Sequence, residues 1–196
     1  MRIFTFYTAG TAYSAMAALC VGSFASFGVK VEPVAYSNTG DWMKNALWRA
    51  PALHKLAIEN PNEIIGMLDA DVHAIRDPVL ITRFKGHFAC EDRGIGVHFN
   101  RRFSAGVLLF GATRHGRQLL KMWADMCERD ATPQAPLREQ HYLHYCVTMM
   151  RSLHMDFEVT NLGNAYNAKP EQVNEETVLI HDVASRAELK NIGGKR

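Results

Sequence analysis

The stretch Ile64-Ile65-Gly66-Met67-Leu68-Asp69-Ala70-Asp71 constrains this chain more than any other. An uncharged apolar run ends abruptly in two carboxylates separated by one alanine. A run this apolar reads as a strand covered on both faces, as in the middle of a mainly parallel sheet. The acids then stand at its carboxyl end, where open α/β sheets place their ligands. Alternation along an extended chain points Asp69 and Asp71 to one side. Two carboxylates so close repel each other unless a cation or hydrogen-bond donors compensate. Oxygen donors of this kind suit Mg²⁺ or Mn²⁺, which commonly borrow further ligands from phosphate oxygens. The stretch therefore points to a metal–diphosphate site. The plainer reading is an acidic turn in solvent, but such a turn does not call for an uncharged run leading into it.

The rest of the chain fits one domain with a sizeable core at 196 residues, 47% hydrophobic and 21% charged. A net charge of +2, with Lys and Arg scattered, argues against a strongly electrostatic nucleic-acid binder. The four cysteines, Cys20, Cys90, Cys127 and Cys146, have no C-x-x-C spacing, and buried reduced thiols of a cytoplasmic protein account for them. Residues 12–29 are apolar but hold several Ser and Gly and follow a strand-like start, which excludes a convincing signal peptide or membrane span.

Taken in order, Arg2 to Tyr7 is a first strand, rich in β-branched and aromatic residues. Thr8-Ala9-Gly10-Thr11 turns into a helix with Tyr13, Met16, Ala17, Cys20, Phe24 and Phe27 on one face and Gly28 as its C′ residue. Val29 to Tyr36 is the second strand. This opening is a mononucleotide-binding layout, yet the loop is not G-x-G-x-x-G, which disfavours a dinucleotide oxidoreductase. Trp42 to Glu59 reads as helical with an interruption near Pro51. Beyond the two acids, Asp77-Pro78 starts a short helix or turn, and His87 to Glu91 and Val97 to Asn100 read as short strands. Phe103 to Phe110 is another strand, followed by a helix capped by Thr113 with Leu119, Leu120, Trp123, Met126 and Cys127 as its stripe. Pro133 and Pro136 break the chain before a helix from about Leu137 to Met150. Its inner stripe, followed back one turn, reaches Glu139 and Gln140, aimed into a cleft; a capping role for Glu139 is the alternative. Phe157 to Leu162 and Val178 to Ile180 are the last strands, the latter running into His181-Asp182. His141 and His144 share a helix face, but no second ligand pair with zinc spacing accompanies them, so packing or surface roles are expected.

In this order the landmarks resemble the GT-A fold glycosyltransferases, which use nucleotide-diphospho-sugars. Ile3 to Tyr13 is similar to that family's first strand and nucleotide loop. Leu68-Asp69-Ala70-Asp71 is its D-x-D signature. Arg102 to Phe110 resembles its Phe-Asn-Ser-Gly strand, Arg138-Glu139-Gln140 its Asp-Gln element, and His181 its C-terminal metal-binding histidine. The resemblance runs over about residues 1–190 and implies one α/β domain with a mixed, mainly parallel central sheet flanked by helices. Residues 191–196 read as a basic mobile tail.

The resemblance also implies roles. Asp69, Asp71 and His181 would hold Mn²⁺ or Mg²⁺, with Asp69 and Ala70 beside the nucleotide. Thr8, Ala9, Gly10 and Tyr13 would line the base and ribose pocket. Arg49 would neutralise the nucleotide, and Arg186 or Lys190 would reach the phosphates. Ser104, Ala105 and Gly106 would face the donor sugar, as would Glu139 and Gln140, with Glu139 as the catalytic base of an inverting reaction. The donor would be a nucleotide-sugar, by default of uridine. The acceptor would be a hydroxyl on a glycan, a protein or a modified DNA base.

This chain departs from the family in four places: Ser104-Ala105 stands for Asn-Ser, Arg49 for the usual Lys, Glu139 for Asp, and His181 to Arg186 lacks the Gly of the retaining members' His-x-x-Gly-x-x-Lys motif, so retaining and inverting outcomes both stay open. The alternative reading is a nucleotide-sugar-binding protein, or a subunit of a transferase complex, that has lost transfer. A haloacid-dehalogenase-type phosphatase would carry its D-x-D on the first strand, and a nucleotidyltransferase would carry a Gly-rich basic loop near the start. Neither is present.

Overall fold

A computed structural model describes residues 1–94, 102–129 and 139–182. Its frame is a six-stranded sheet in the order β2-β1-β3-β6-β5-β7. The strands are β1 (Arg2–Thr8), β2 (Val31–Tyr36), β3 (Ile65–Asp69), β5 (Phe88–Cys90), β6 (Val107–Phe110) and β7 (Val159–Asn161). β2, β1 and β3 are mutually parallel, and β6 alone among the described strands of this sheet runs against the others. The mainly parallel α/β architecture expected from the sequence is therefore present. β3 has β1 as a parallel neighbour and β6 as an antiparallel one.

Alternation along the strands divides the core between the two faces of the sheet. Phe4, Phe6, Ile65, Met67, Leu108 and Phe110 pack with helices α3 (Arg49–Glu59), α5 (Arg114–Arg129) and α6 (Glu139–Leu153). Ile3, Leu68, Val107 and Leu109 pack with α1 (Tyr13–Ala25) and with a two-stranded antiparallel ribbon of β4 (Val72–Ala74) and β8 (Leu179–His181). Gly66 interrupts the apolar run of β3 because a Cβ there would lie 2.9 Å from Leu109 Cδ2 and 3.2 Å from Ile3 Cγ1.

Local signals act largely as read. After α1, Gly28 N–H donates to Ala25 O at 3.0 Å and Val29 N–H to Phe24 O at 3.1 Å, the bond pair of a Schellman motif with Gly28 at φ +73°. Thr113 Oγ1 accepts from Gly116 N–H at 3.1 Å and caps α5. Other expectations change. The break in the Trp42–Glu59 helix falls at Trp48, between α2 (Trp42–Leu47) and α3. Pro51 sits in the first turn of α3, where a missing N–H costs no intrahelical bond. The strand expected from Phe103 shortens to β6, with Phe103 making only an isolated bridge to Asp92. The ribbon strand β4, three residues long, was not expected; α4 (Val79–Thr82) follows it at Pro78. Val97 to Asn100, Pro133, Pro136, Leu137, Arg138, Arg186, Lys190 and the basic tail lie outside the described residues.

The four cysteines are buried thiols with no disulfide, and burial pushes those of Cys20 and Cys146 up to about 12. Among the described residues no helix is long and apolar enough to cross a membrane.

Candidate metal and nucleotide site

The antiparallel course of β6 gathers the site. β3 ends at Asp69, and because β6 runs the other way, its entrance lies beside that end: Asp69 N–H donates to Gly106 O at 2.8 Å. Asp71 lies past the strand, in the turn into β4, so strand alternation is not what aligns the two acids. The ribbon aligns them instead. Val72 pairs with His181, and Asp182 N–H donates to Asp71 O at 2.9 Å. His181 Nε2 then lies 3.1 Å from Asp71 Oδ1 and 3.4 Å from Asp69 Oδ2. One ligand atom from each of Asp69, Asp71 and His181 falls within a 4.8 Å span. Burial works against an imidazolium at His181, but the hydrogen bond to Asp71 and the charges of both aspartates outweigh it and raise its pKa.

Arg49, the first residue of α3, spans two carboxylates. Nη1 binds Asp69 Oδ1, and Nη2 donates to Glu139 Oε1 at 2.5 Å. Burial alone would weaken its hold on its proton; Asp69 and Glu139 more than compensate, and its pKa rises. Glu139, the first residue of α6, is buried, and among the described residues its Oε2 has no hydrogen-bond partner. Its backbone carbonyl accepts from Trp123 Nε1 at 2.8 Å, which fixes the start of α6 against the core. Gln140 Nε2 donates to Phe103 O at 2.9 Å.

Behind His181 lies a buried polar network. Its Nδ1 is 2.7 Å from Asn167 Oδ1. Asn167 Nδ2 donates to Glu91 Oε2 at 2.5 Å and to Ser104 Oγ at 3.0 Å. Arg93 Nε donates to the same Glu91 oxygen at 2.9 Å. Gly106 leaves room for this arrangement, since a Cβ there would stand 2.8 Å from the His181 ring and 2.9 Å from Asn167 Oδ1.

The other sequence-predicted residues fall in three groups. Thr8, Ala9, Gly10 and Tyr13 form the β1–α1 turn at the same edge of the sheet; Thr8 is buried, Ala9 and Gly10 are exposed, and Tyr13 is half-buried. Thr11 Oγ1 donates to Thr8 O at 2.7 Å and closes that turn, with Gly10 at φ +73°. Ala70, Ser104, Ala105 and Gly106 are buried around the aspartates and His181. Arg186 is outside the described residues. His73 lines a small cleft with Met16, Leu19, Ala70, Asp71 and Asp182. His144 packs on Phe103, ring centroids 5.5 Å apart, in keeping with the packing role expected of it.

Sequence reading missed Glu91, Arg93 and Asn167. No local pattern marks them, because their partners are brought together only by the fold. Trp48, next to Arg49, is 42% exposed and stacks on Tyr36 at 4.8 Å between centroids.

Two carboxylates and an imidazole converge, with Asp71 buried, and the hydrogen-bonded shell behind His181 leaves its Nε2 facing the acids. This fits a cation that takes oxygen and imidazole ligands.

No family model matches the sequence, and no curated protein matches it. Solved structures do match the fold. A glycosyltransferase involved in glycosylating the major capsid of PBCV-1 superposes with a TM-score of 0.63 at 16% identity, over 98% of this chain and 100% of that one. The glycosyltransferase GlyE of Streptococcus pneumoniae gives 0.55 at 13% identity, over 92% of this chain and 54% of that one. Mouse xyloside xylosyltransferase 1 gives 0.54 at 12% identity, over 94% and 98%. The chain has the fold these glycosyltransferases share, a GT-A-like α/β fold, with an Asp-x-Asp pair and a histidine meeting at the carboxyl end of β3, an inner strand of its central sheet.

Proposed function

We propose that the chain is a metal-dependent glycosyltransferase. It would move a sugar from a nucleoside-diphosphate sugar, by default of uridine, to an acceptor hydroxyl on a glycan, a protein or a modified DNA base. The observation that carries the proposal is the convergence of Asp69, Asp71 and His181 on one point, on a fold shared with glycosyltransferases. Mn²⁺ or Mg²⁺ held by these three would act as a Lewis acid that stabilises the departing diphosphate.

The chain's own residues supply the rest. The β1–α1 turn, with exposed Ala9 and Gly10 and half-buried Tyr13, offers an open ledge for base and ribose. Arg49 brings a fixed positive charge to the edge where a diphosphate would lie, and holds Glu139 in place. In an inverting transfer Glu139 would take the acceptor proton. Among the described residues its Oε2 has no hydrogen-bond partner, while Oε1 is engaged by Arg49.

One observation favours a second reading, a nucleotide-sugar-binding protein or subunit without transfer. Ser104 is buried, with its Oγ accepting from Asn167 Nδ2 and Arg93 Nη2, and Ala105 has no polar side-chain group, so this segment lacks the amide donor of the Asn-Ser it replaces.

Asp71→Ala tests the site. Titration calorimetry with UDP and Mn²⁺ should show binding to the wild type and none to a folded Asp71→Ala. Unchanged affinity would remove Asp71 from the site. Glu139→Ala, assayed with UDP-sugars for hydrolysis or transfer, separates the two readings: wild-type UDP release that this variant loses supports transfer, and binding without turnover in the wild type supports the second.

A further inference from the structure

An exposed tryptophan stands beside the diphosphate end of the site, and the transfer chemistry above gives it no role. The geometry points to Trp48, backed by Tyr36, as the platform on which the base of the donor nucleotide stacks. The inference rests on the metal–diphosphate reading above and adds to it the residue that holds the other end of the donor.

Direction comes from the order of the strands. The metal-ligand candidates gather at the carboxyl end of β3. On one side of β3 lies β6, entered through Ser104, Ala105 and Gly106, with Gln140 tied to Phe103 O and Glu139 at the start of the same helix. These are the groups that the transfer reading sets at the donor sugar. On the other side lie β1 and then β2. A nucleoside-diphosphate sugar carries its sugar and its base at opposite ends of the diphosphate. A sugar on the β6 side therefore sends the base toward β1 and β2. Tyr36 ends β2 there: it pairs with Thr8, and its carbonyl accepts from Ala9 N–H at 2.9 Å, which joins it to the β1–α1 turn. Two strand spacings, about 9–10 Å, separate β2 from β3, a span that a nucleoside diphosphate covers between its phosphates and its base.

The ring is both held and open. Trp48 sits between α2 and α3; its N–H donates to Lys44 O at 3.2 Å and its carbonyl accepts from Ala52 N–H at 3.2 Å, so both helices fix its backbone. One turn earlier, buried Asn45 accepts from Thr39 N–H at 3.1 Å and from Thr39 Oγ1 at 2.8 Å and donates to Asn38 Oδ1 at 3.1 Å, which ties α2 to the loop after β2. The indole lies against Tyr36 with ring planes 31° apart, and meets Phe6 at 6.1 Å between centroids and 78° between planes. Phe6 in turn pairs with Asp69 across β1 and β3. Support comes from the sheet side, and 42% of Trp48 stays exposed. A single exposed apolar residue is ordinary. This one is backed by a second ring, anchored by two helices and followed directly by Arg49, which binds Asp69. A fixed aromatic face with a cation one residue away suits a flat neutral ring joined to an anionic tail, which is the chemistry of a nucleotide.

Inorganic diphosphate separates the two ends of the donor, because it offers the phosphates without a base. Titration calorimetry with Mn²⁺ would compare UDP, GDP and inorganic diphosphate on the wild type, Trp48→Ala, Trp48→Leu and Trp48→Phe. For the nucleotide that the wild type binds more tightly, Trp48→Ala should lose about 5–150-fold in affinity while diphosphate binds as before. Trp48→Leu, which keeps apolar packing on Tyr36 but has no ring, should lose as much and guards against a folding defect in Trp48→Ala. Trp48→Phe should recover most of the loss. Unchanged nucleotide affinity in Trp48→Ala and Trp48→Leu overturns the platform, as do equal losses for nucleotide and diphosphate, which would make Trp48 a structural prop. Diphosphate bound by a wild type that takes neither nucleotide overturns the platform and leaves the metal–diphosphate reading standing. A wild type that binds none of the three with Mn²⁺ overturns that reading and the inference with it.

Discussion

Arg49 is the residue on which the charge balance of the site turns. Its two terminal nitrogens serve different carboxylates, Asp69 and Glu139, which lie 20 and 90 positions away in sequence. A planar guanidinium can do this, whereas a lysine ammonium serves as a single point charge. Removing one member of a buried ion pair leaves an uncompensated charge and typically costs about 3–5 kcal/mol. Arg49→Ala should therefore lower unfolding free energy in urea by about 3 kcal/mol, and Arg49→Lys should fall between it and the wild type. Mn²⁺ should recover part of the loss in Arg49→Ala, since a cation at Asp69 replaces one of the missing contacts. Equal stability of all three proteins would mean that these pairs contribute nothing. The sequence made Arg49 legible as a positive group near a nucleotide. Its bridging role was not legible, because the two partners are set by the packing of α3 against β3 and α5, and of α5 against α6. The same holds for Asn167 and Glu91, whose chemistry is ordinary until the fold places them against His181.

Two glycines show how elements, rather than single side chains, fix the geometry. At Gly106, just before β6, an added Cβ would meet the ring of His181 and the side chain of Asn167, both at the site. At Gly116, in the first turn of α5, it would meet backbone: Gly111 O at 2.5 Å and His87 O at 2.6 Å. Side chains can swing away and main chain cannot do so cheaply. Gly106→Ala should keep its melting temperature to within a few degrees but lose Mn²⁺ affinity at least about tenfold, because His181 is displaced. Gly116→Ala should do the reverse, losing about 1–3 kcal/mol or more in stability through overpacking while binding Mn²⁺ normally when folded. Matched melting curves and Mn²⁺ titrations of the two variants check the contrast, and a Gly106→Ala protein with intact affinity would place His181 outside the site. At this scale the sequence spoke clearly where runs were long and uncharged, as in β3 and β6, or where a cap was local, as at Thr113 and Gly28. It was silent on β4, since three residues carry no periodicity. Pro51 misplaced the α2–α3 break because a proline in a first turn is compatible with a helix.

Across the whole molecule, the site joins parts of the chain that are remote in sequence. Asp69 ends β3 in the parallel half of the sheet and Asp71 follows it, Glu139 opens α6, and His181 ends the last described strand. That strand is outside the main sheet, held to β4 by the ribbon pairing and to the preceding loop by His181 N–H to Ala168 O at 2.8 Å. Such a short ribbon should open more readily than the buried strands, because local stability follows contact density and burial. A cation bound by Asp69, Asp71 and His181 would pin it to β3. A ligand that binds only the native state adds RT ln(1 + [L]/Kd), about 2.7 kcal/mol at a hundredfold excess over Kd. For a chain of this size each kcal/mol raises the melting temperature by about 2–4 °C. Saturating Mn²⁺ with a nucleoside diphosphate should therefore raise the midpoint by about 5–10 °C, and EDTA should reverse it. Hydrogen exchange should locate the gain. The amides of β4 and β8, including His181 and Asp182, should become more protected with Mn²⁺ alone. Amides of β2, at the far edge of the sheet, should change only to the extent that they exchange through global unfolding. Uniform protection would mean that the ribbon already opens only with the whole molecule. No added protection at His181 and Asp182 would mean that the cation does not join the end of β8 to β3, and the metal assignment would lose its histidine.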